Sequence, residues 1–361
     1  MNLNETIFRE YDIRGIVNVD FSKEVVEKLG KAFGSYIKRQ GGNNISVSGD
    51  IRESSPILKK HFISGIISTG VNVFDTGILP TPVNYYSMYH LNTDAAVQIT
   101  GSHNPKEFNG FKFSCINESF YGEKIQLLKQ MIINNDFEKG LGEITNKEIL
   151  NNYIEMLFSK IKLNKKLKVI VDSGNACGCL TIPQTLKKLG VEVEELYCDV
   201  DSSFPNHHPD PTVDSNLNDI ISIIKKGEYD LGMAFDGDAD RIVVIDEKGG
   251  IIRSDNLIAL FLPETITPTN KKIIFDVKCS EALEKMIIKY GGEPLMWKTG
   301  HSLIKDKMKK ENAKFAGEMS GHIFFADDYY GYDDALYVGL RLLQILSNTN
   351  LSLSKLTDEI P

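Results

Sequence analysis

The chain has 361 residues, of which 42% are hydrophobic and 25% charged, and its formal net charge at pH 7 is −8. This length suggests two or three domains, and the composition is ordinary for a globular protein with real cores. The negative charge argues against a general nucleic-acid binder, which needs a basic face, but it permits an anionic substrate held by a few cationic groups. No apolar run approaches the ~18 residues that span a bilayer, so we expect no membrane partner.

The cellular location follows from the first residues and the cysteines. The first five residues, MNLNE, lack the basic and apolar regions of a signal peptide. The five cysteines are scattered, odd in number and without a CxxC pair, as is typical of reduced thiols. We therefore expect a cytoplasmic protein, and we expect a monomer or a weak dimer.

Apolar runs alternate with amphipathic stretches along the chain, which predicts α/β units with mainly parallel sheets. In the first unit we predict strands at 45–48, 71–74 and 95–99 and helices at 56–68 and 82–90. In the second we predict strands at 168–171, 191–196, 231–235 and 242–245 and helices at 180–189 and 217–226. In the third we predict strands at 272–275, 294–297 and 314–316 and helices at 280–290, 302–311 and 334–346.

A stretch rich in Asn, Lys and Glu, at about 134–151, marks the first boundary between units. We predict three successive α/β domains with mixed or parallel sheets, at residues 1–145, 146–250 and 251–361. In each domain, a predicted strand is followed by a polar loop that contains glycine. Since open parallel sheets bind ligands at the carboxyl ends of their strands, these loops are the candidate site.

The sharpest chemical pattern is the loop at residues 236–241 (DGDADR), which directly follows a predicted strand. Asp236, Asp238 and Asp240 repel one another unless a cation lies among them, and carboxylate oxygens suit Mg²⁺ or Ca²⁺. An EF-hand is excluded because Arg241 stands where that loop needs glycine. Two alternatives to a metal site remain: an aspartyl phosphatase with Asp236 as nucleophile, and a solvated acidic turn. Arg241, a good ligand for phosphate oxygens, makes both alternatives weaker.

A second polar loop, residues 100–105 (TGSHNP), also follows a predicted strand. Ser102 could be a nucleophile or a phosphate carrier there, because the preceding glycine permits a sharp turn. The hydrolase pattern GxSxG is absent, and side chains adjacent in sequence rarely point at each other, so His103 receives no role. By itself the loop fits a plain turn as well as a site.

Taken together, these two loops resemble the phosphoserine and metal loops of the α-phosphohexomutase family. Further segments resemble the family's motifs, in the family's order: 11–15 (YDIRG), 109–112 (NGFK), 204–211 (FPNHHPDP), 276–280 (DVKCS), 298–301 (KTGH) and 317–322 (GEMSGH). The last segment is similar to the sugar-recognition loop of the bacterial phosphomannomutase/phosphoglucomutase branch. The resemblance covers the whole chain.

The resemblance implies an enzyme that moves a phosphoryl group between O1 and O6 of mannose or glucose through a 1,6-bisphosphate, which also serves as activator. Ser102 would carry the phosphoryl group and complete a Mg²⁺ shell with the three aspartates. Arg241 would neutralise charge on the transferring group. Substrate binding would fall to Tyr11, Arg14, Lys278, His301, Glu318 and Ser320, the last two through the sugar's O3 and O4.

The general acid/base is the least determined role. Lys112, Lys278, His301 and His322 are the candidates implied by the resemblance. We favour His322, with Lys112 next, because a histidine titrates near neutrality and can both accept and donate a proton.

The chain departs from the family pattern in two places. One arginine of the family's GRDxR run is absent, since residues 48–52 are SGDIR, while Arg52 remains. The chain also stops at Pro361, about where the family's fourth, phosphate-gripping domain is expected to begin, which would weaken substrate binding and turnover. A non-catalytic phosphosugar-binding protein is therefore the alternative function, beside the aspartyl phosphatase.

Overall fold

The computed structural model describes residues 3–360 and divides into two compact units, residues 1–153 and 154–361. Both consist of sheets covered by helices, and the described part contains three sheets, of six, five and four strands. The predicted fold class, successive α/β domains with mixed sheets, is confirmed.

Unit 1 is built on the six-stranded sheet, whose strand order is β1-β5-β4-β2-β3-β6. The strands are β1 (Ile13–Ile16), β2 (Asn44–Gly49), β3 (Asn72–Ile78), β4 (Ala95–Ile99), β5 (Phe108–Cys115) and β6 (Ile144–Asn146). The helices are α1 (Val17–Asp20), α2 (Lys23–Arg39), α3 (Ser55–Ile67), α4 (Thr81–His90) and α5 (Glu123–Asn134). Helix α6 (Leu150–Lys160) crosses the division between the units.

Strand β4 positions the first polar loop. Its five residues are all buried, as expected of a strand covered on both faces. It pairs in parallel with β2 and antiparallel with β5, so it lies inside the sheet. Loop 100–105 therefore starts from a rigid strand end.

Unit 2 contains the five-stranded sheet, in the order β11-β10-β9-β7-β8, and the four-stranded sheet, in the order β13-β12-β14-β15. The strands of the first are β7 (Lys168–Asp172), β8 (Glu192–Leu196), β9 (Leu231–Phe235), β10 (Ile242–Asp246) and β11 (Ile251–Ile252). Those of the second are β12 (Lys272–Asp276), β13 (Glu293–Trp297), β14 (Phe315–Gly317) and β15 (Ile323–Phe325). The helices are α7 (Ile182–Lys188), α8 (Asn218–Ile224), α9 (Ser254–Thr265), α10 (Glu281–Lys289), α11 (His301–Glu311), α12 (Ala335–Ser347) and α13 (Leu353–Thr357).

The predicted elements are confirmed to within a few residues, and the strands at 95–99 and 231–235 have the predicted bounds. Several elements lie outside the prediction, notably α2 and β5. The residues of motif 109–112 form part of strand β5 rather than of a loop. The bounds of the three predicted domains stay a prediction.

None of the helices within residues 3–360 has the length and apolar character that crossing a bilayer requires. The five cysteines are free thiols. Burial raises the pKa of both Cys179 and Cys198, the latter to about 11, so these two thiols resist ionisation at neutral pH.

A histidine tethers the loop at residues 204–211 to the five-stranded sheet. His207 lies with Nε2 2.9 Å from Asp172 Oδ2, at the end of β7, and with Nδ1 2.9 Å from the carbonyl oxygen of His208. Burial alone lowers the pKa of His207, but the hydrogen bond and charge of Asp172 outweigh burial and raise it. The ring of His207 thus links the loop to the strand.

This tether predicts a pH dependence of stability. Because the pKa of His207 is higher in the folded chain, its stabilising contribution is complete below the unfolded value of about 6.5 and is lost as the pH rises through the raised value. We expect His207→Gln to remove that part of the pH dependence, measured as the difference in urea midpoint between variant and wild type from pH 6 to pH 9 (about 0.5-unit steps). Asp172→Asn should remove the same part. A difference that does not change with pH would contradict the tether.

Candidate active site

Ser102 occupies a constrained backbone conformation at the carboxyl end of β4. Its φ is +48°, uncommon for a residue other than glycine, and only 2% of its surface is exposed. Its backbone N–H donates to Thr100 Oγ1 at 2.8 Å, and its Oγ lies 3.0 Å from His103 Nδ1. The expectation that neighbours in sequence do not meet is thus wrong here. The positive φ turns both side chains toward each other.

Arg52 shapes the backbone of this loop from inside the protein. Its guanidinium is buried and donates to the carbonyl oxygens of Ser102 at 2.8 Å, Asn104 at 2.6 Å and Pro105 at 2.7 Å. Asp50 balances its charge at 3.2 Å and accepts the backbone N–H of Gly101 at 3.1 Å. The sequence showed that this arginine remains, but nothing in the sequence indicated that it organises loop 100–105.

Three further predicted site residues belong to the same unit. Arg14 lies on β1 and pairs with Asp12 at 2.5 Å, and it reaches the side-chain oxygen of Asn104 at 2.6 Å when that amide is turned to face it. Lys112 is buried on β5, opposite Gln98 of β4. Tyr11 is half-buried just before β1. Arg14 therefore lies beside the loop of Ser102.

In unit 2, loop 236–241 brings three buried carboxylates together. Asp236, Asp238 and Asp240 are fully buried, and one oxygen from each lies within 4.8 Å of the others. Ala239, at φ +60°, lets the chain turn between them. The backbone N–H groups of Asp240 and Arg241 donate to Asp236 Oδ1 at 3.1 and 3.2 Å, which fixes one carboxylate. Three buried carboxylates so close together fit a hard, oxygen-liganded divalent ion.

Arg241 and His322 adjoin this cluster. Arg241 Nε lies 3.9 Å from Asp236 Oδ2 and 3.2 Å from His322 Nε2, and His322 Nε2 lies 3.1 Å from Asp240 Oδ1. Burial lowers the pKa of Arg241, but Asp236, Asp240 and Asp238 outweigh burial and raise it. Burial also lowers the pKa of His322, but the charge of Asp240 and the hydrogen bonds to Asp240 and Glu318 raise it to about 9. Arg241 and His322 thus lie together beside the acidic cluster.

Asp276, at the end of β12, ties the loops of the four-stranded sheet to one another. This buried carboxylate accepts from the hydroxyl of Thr299 at 2.8 Å and from the backbone N–H of Met319 at 3.1 Å. It also accepts from the thiol of Cys279 at 3.2 Å. Asp276 stood within a recognised motif, yet only the structure gives it this organising position.

Glu318 occupies an unexpected environment. It is 1% exposed, and its carboxylate accepts from the backbone N–H of Gly300 and lies 2.9 Å from His322 Nδ1. Both oxygens are thus engaged within the protein, and Glu318 orients His322 in addition to any contact with a sugar. Ser320 Oγ lies 3.3 Å from the same nitrogen.

The remaining predicted residues differ in exposure. Lys278 is exposed on the loop after β12. His301 is the first residue of α11, and its ring centroid lies 5.6 Å from that of His322. Within unit 2 the structure therefore places Arg241 and His322 beside the acidic cluster, and His301, Glu318 and Ser320 beside His322. That Ser102 of unit 1 lies against a metal ion at that cluster stays a prediction.

Comparison with known proteins identifies the family. Models of phosphoglucomutase/phosphomannomutase α/β/α domains I, II and III match residues 5–139, 151–250 and 253–361, respectively. The phosphomannomutase/phosphoglucomutase of Pseudomonas putida is 44% identical over 360 residues, which are 99% of this chain and 78% of that protein. The protein of the same name from Pseudomonas aeruginosa PAO1 is 45% identical over 346 residues, 96% of this chain and 75% of that protein.

The solved structures agree with this result. A phosphoglucomutase/phosphomannomutase family protein from Burkholderia thailandensis superposes with a TM-score of 0.96 at 41% identity, covering 100% of this chain and 80% of that one. The fold and site thus define an enzyme of the isomerase class, a phosphohexomutase. The chain belongs to the phosphoglucomutase/phosphomannomutase family.

The contact between Gly101 and Arg52 yields a test of the loop. A Cβ atom at Gly101 would lie 2.5 Å from Cζ of the buried Arg52 guanidinium, so Gly101→Ala must displace the loop or the arginine. We expect a loss of stability of about 1–3 kcal/mol. We also expect about 100-fold lower turnover, since small displacements at a reacting centre are costly. Urea unfolding and the mutase assay described below measure the two effects.

Gly77→Ala is the matched control in the same unit. A Cβ there meets nothing within 4 Å, although the φ of +83° adds backbone strain. This variant should lose stability but keep turnover. Equal loss of turnover in both variants would contradict a specific role of the contact between Gly101 and Arg52.

Proposed function

We propose that the chain interconverts hexose 1-phosphate and hexose 6-phosphate, with glucose or mannose as the sugar, through a phosphoserine at Ser102. Support comes from the family and from the positive φ of Ser102, since constrained backbone outside glycine concentrates at functional sites. The related enzymes from Pseudomonas carry both substrate names, phosphomannomutase and phosphoglucomutase. For the location, we propose the cytoplasm.

The proposed cycle has two phosphoryl transfers. In the first, the bond between Ser102 Oγ and phosphorus breaks while the free hydroxyl of the hexose monophosphate forms a new bond to that phosphorus. A protein base takes the hydroxyl proton, Ser102 Oγ takes up a proton as it leaves phosphorus, and the product is a hexose 1,6-bisphosphate. The bisphosphate then reorients, and its other phosphoryl group returns to Ser102 Oγ. In this second transfer the serine hydroxyl gives up its proton and the departing sugar oxygen takes one, which regenerates the phosphoserine and releases the isomeric monophosphate.

Charge neutralisation is the main requirement of such transfers. We propose that Asp236, Asp238 and Asp240 hold Mg²⁺, which supplies positive charge against the phosphoryl oxygens when bound. Arg241 adds a second cation, whose pKa the same carboxylates raise, so that it stays charged. In unit 1, Arg14 beside loop 100–105 is the corresponding candidate for binding phosphate.

We propose His322 as the general acid/base, with Lys112 as the alternative. Two contacts fix the ring of His322, because Glu318 lies at Nδ1 and Asp240 at Nε2. Its pKa of about 9 makes it a proton donor at neutral pH while Asp240 carries its full charge. A divalent ion on Asp240 would offset that charge and lower the pKa toward neutrality, where a histidine exchanges protons in both directions.

The sugar contacts are also part of the proposal. Glu318 and Ser320 would recognise O3 and O4 of the hexose, while Tyr11, Lys278 and His301 would bind the remaining groups. Lys278 is exposed and so can reach a ligand without displacing a protein contact of the buried core. The oligomeric state, a monomer or weak dimer, stays a prediction.

The phosphoserine is tested by Ser102→Ala. Without an oxygen at this position no phosphoryl group can be carried, so we expect the variant to lose turnover to the detection limit with its fold intact. The assay couples glucose 6-phosphate formation from glucose 1-phosphate, with catalytic glucose 1,6-bisphosphate, to a dehydrogenase. Intact mass after exposure to the bisphosphate should show one added phosphoryl group on the wild type and none on the variant.

Three outcomes would contradict the proposed phosphoserine or favour another function. Mutase activity in Ser102→Ala would refute the phosphoserine, and release of inorganic phosphate with no mass gain in the wild type would favour the aspartyl phosphatase. A wild type that binds the phosphosugar but neither turns over nor gains mass would favour the non-catalytic alternative.

The metal is tested by removal and by Asp238→Asn. Chelation should abolish turnover and Mg²⁺ should restore it, because the three carboxylates repel one another without a cation. Asp238→Asn should lower the affinity for Mg²⁺ by at least 10-fold, measured by calorimetry. Asp219→Asn, a change on α8 outside the acidic cluster, is the control and should bind Mg²⁺ as the wild type does. Full turnover in the presence of chelator would contradict a metal requirement.

A further inference from the structure

A buried acid that the sequence analysis did not single out lies beside the two histidines of unit 2. Asp333 is 0% exposed and precedes helix α12. Its backbone forms an antiparallel bridge with Phe324, two residues after His322. The next residue, Asp334, caps α12 by accepting from the N–H of Tyr337 at 3.0 Å. The chain on both sides of Asp333 is therefore held in place.

The two oxygens of the Asp333 carboxylate have different surroundings. Oδ1 accepts from Lys305 Nζ at 2.8 Å. Oδ2 has no hydrogen-bond partner among the described residues, but it lies 3.8 Å from His301 Nδ1 and 3.9 Å from His322 Nε2. A buried carboxylate oxygen without a partner is costly and calls for an explanation.

A second metal ion is a poor explanation for this oxygen. Asp240, His322 and Asp333 have the composition of a metal site, with ligand atoms within 4.8 Å of one another. However, Lys305 already balances the charge of Asp333, and Arg241 Nε lies 3.2 Å from the nitrogen that His322 would offer. A further cation would lie against both of these cations.

A histidine partner explains the oxygen better. His322 is already held at both nitrogens, by Glu318 and by Asp240. His301 Nδ1 lies 3.8 Å from Asp333 Oδ2, longer than a hydrogen bond, and such contacts are often long before substrate binds. A carboxylate at one ring nitrogen fixes which nitrogen carries the proton and how the ring is oriented.

We propose that Asp333 is a positioning residue that holds His301 in the tautomer with the proton on Nδ1, facing Oδ2, and the lone pair on Nε2. The proposal rests on the proposed function for the role of His301 toward the substrate, and it adds the group that orients this ring. Lys305 holds the other carboxylate oxygen by a hydrogen bond. His322, 3.9 Å away, shares the same negative charge.

The wild type alone provides the first test. Selective ¹⁵N labelling of the seven histidines, with His301 assigned through His301→Gln, reports the protonated nitrogen of the neutral ring from its two nitrogen shifts. We expect the proton on Nδ1 of His301. A proton on Nε2 would overturn the proposal, whatever the outcome of the activity assays.

The second test is Asp333→Asn, which removes the charge at nearly the same size. We expect the His301 signals to shift toward the Nε2 tautomer and kcat/KM to fall by about 10- to 100-fold, as for other orienting partners of functional histidines. Asp328→Asn changes an exposed carboxylate of the same loop, paired with Lys160 at 3.1 Å, and should leave both readouts unchanged.

A double-mutant cycle separates positioning from general destabilisation. If Asp333 acts through His301, then Asp333→Asn should not lower kcat/KM any further when it is added to His301→Gln. An undiminished loss in that background would overturn the proposal. A wild type without mutase activity would refute the proposed function but would leave the tautomer of His301 measurable.

Discussion

Asp236, Asp238 and Asp240 carry like charges at full burial, with their oxygens within 4.8 Å of one another, and the rest of the site in unit 2 is arranged around that repulsion. Buried charges are tolerated only when they are compensated. Arg241 and His322 compensate part of the charge from the protein itself, and both have raised pKa values for this reason. A divalent ion would complete the balance. Stability and chemistry thus depend on the same cluster.

The cations beside the acidic cluster are themselves held by acids from the four-stranded sheet. Glu318 orients His322, Asp276 fixes the loop that carries Glu318, and Asp333 faces both His322 and His301. Acidic and basic groups therefore alternate outward from the metal loop. Such a network is rigid when every member is satisfied, and rigid placement is what phosphoryl transfer requires of a protein.

Loop 100–105 in unit 1 is held in place in a different way, by one buried arginine. A single buried guanidinium, Arg52, gathers the carbonyl oxygens of loop 100–105 and leaves room for no side chain at Gly101. The carbonyl groups of the loop point inward to Arg52. The position of the Ser102 hydroxyl is therefore fixed by the backbone conformation of Ser102, whose φ is +48°. The loop keeps this strained conformation because the contacts of Arg52 and Asp50 hold its backbone in place.

The sequence by itself was sufficient for the fold class, for most strands and helices, and for the acidic character of loop 236–241. Alternating apolar and amphipathic runs define βαβ units, and three aspartates at alternate positions after a strand favour a cation, because both signals are local. Ser102 needed the resemblance to a family, since its loop alone fits an ordinary turn.

Only the tertiary structure revealed the supporting residues. Arg52, Asp276 and Asp333 act on groups that are tens of residues away in sequence, on neighbouring strands and loops. The contact between Ser102 and His103 depended on a positive φ that the residue types do not specify. Periodicity reports which residues are buried, whereas the partner of a buried polar group is fixed by how separate segments pack. That is why the sequence determined the chemistry of the site and the fold decided how it is held.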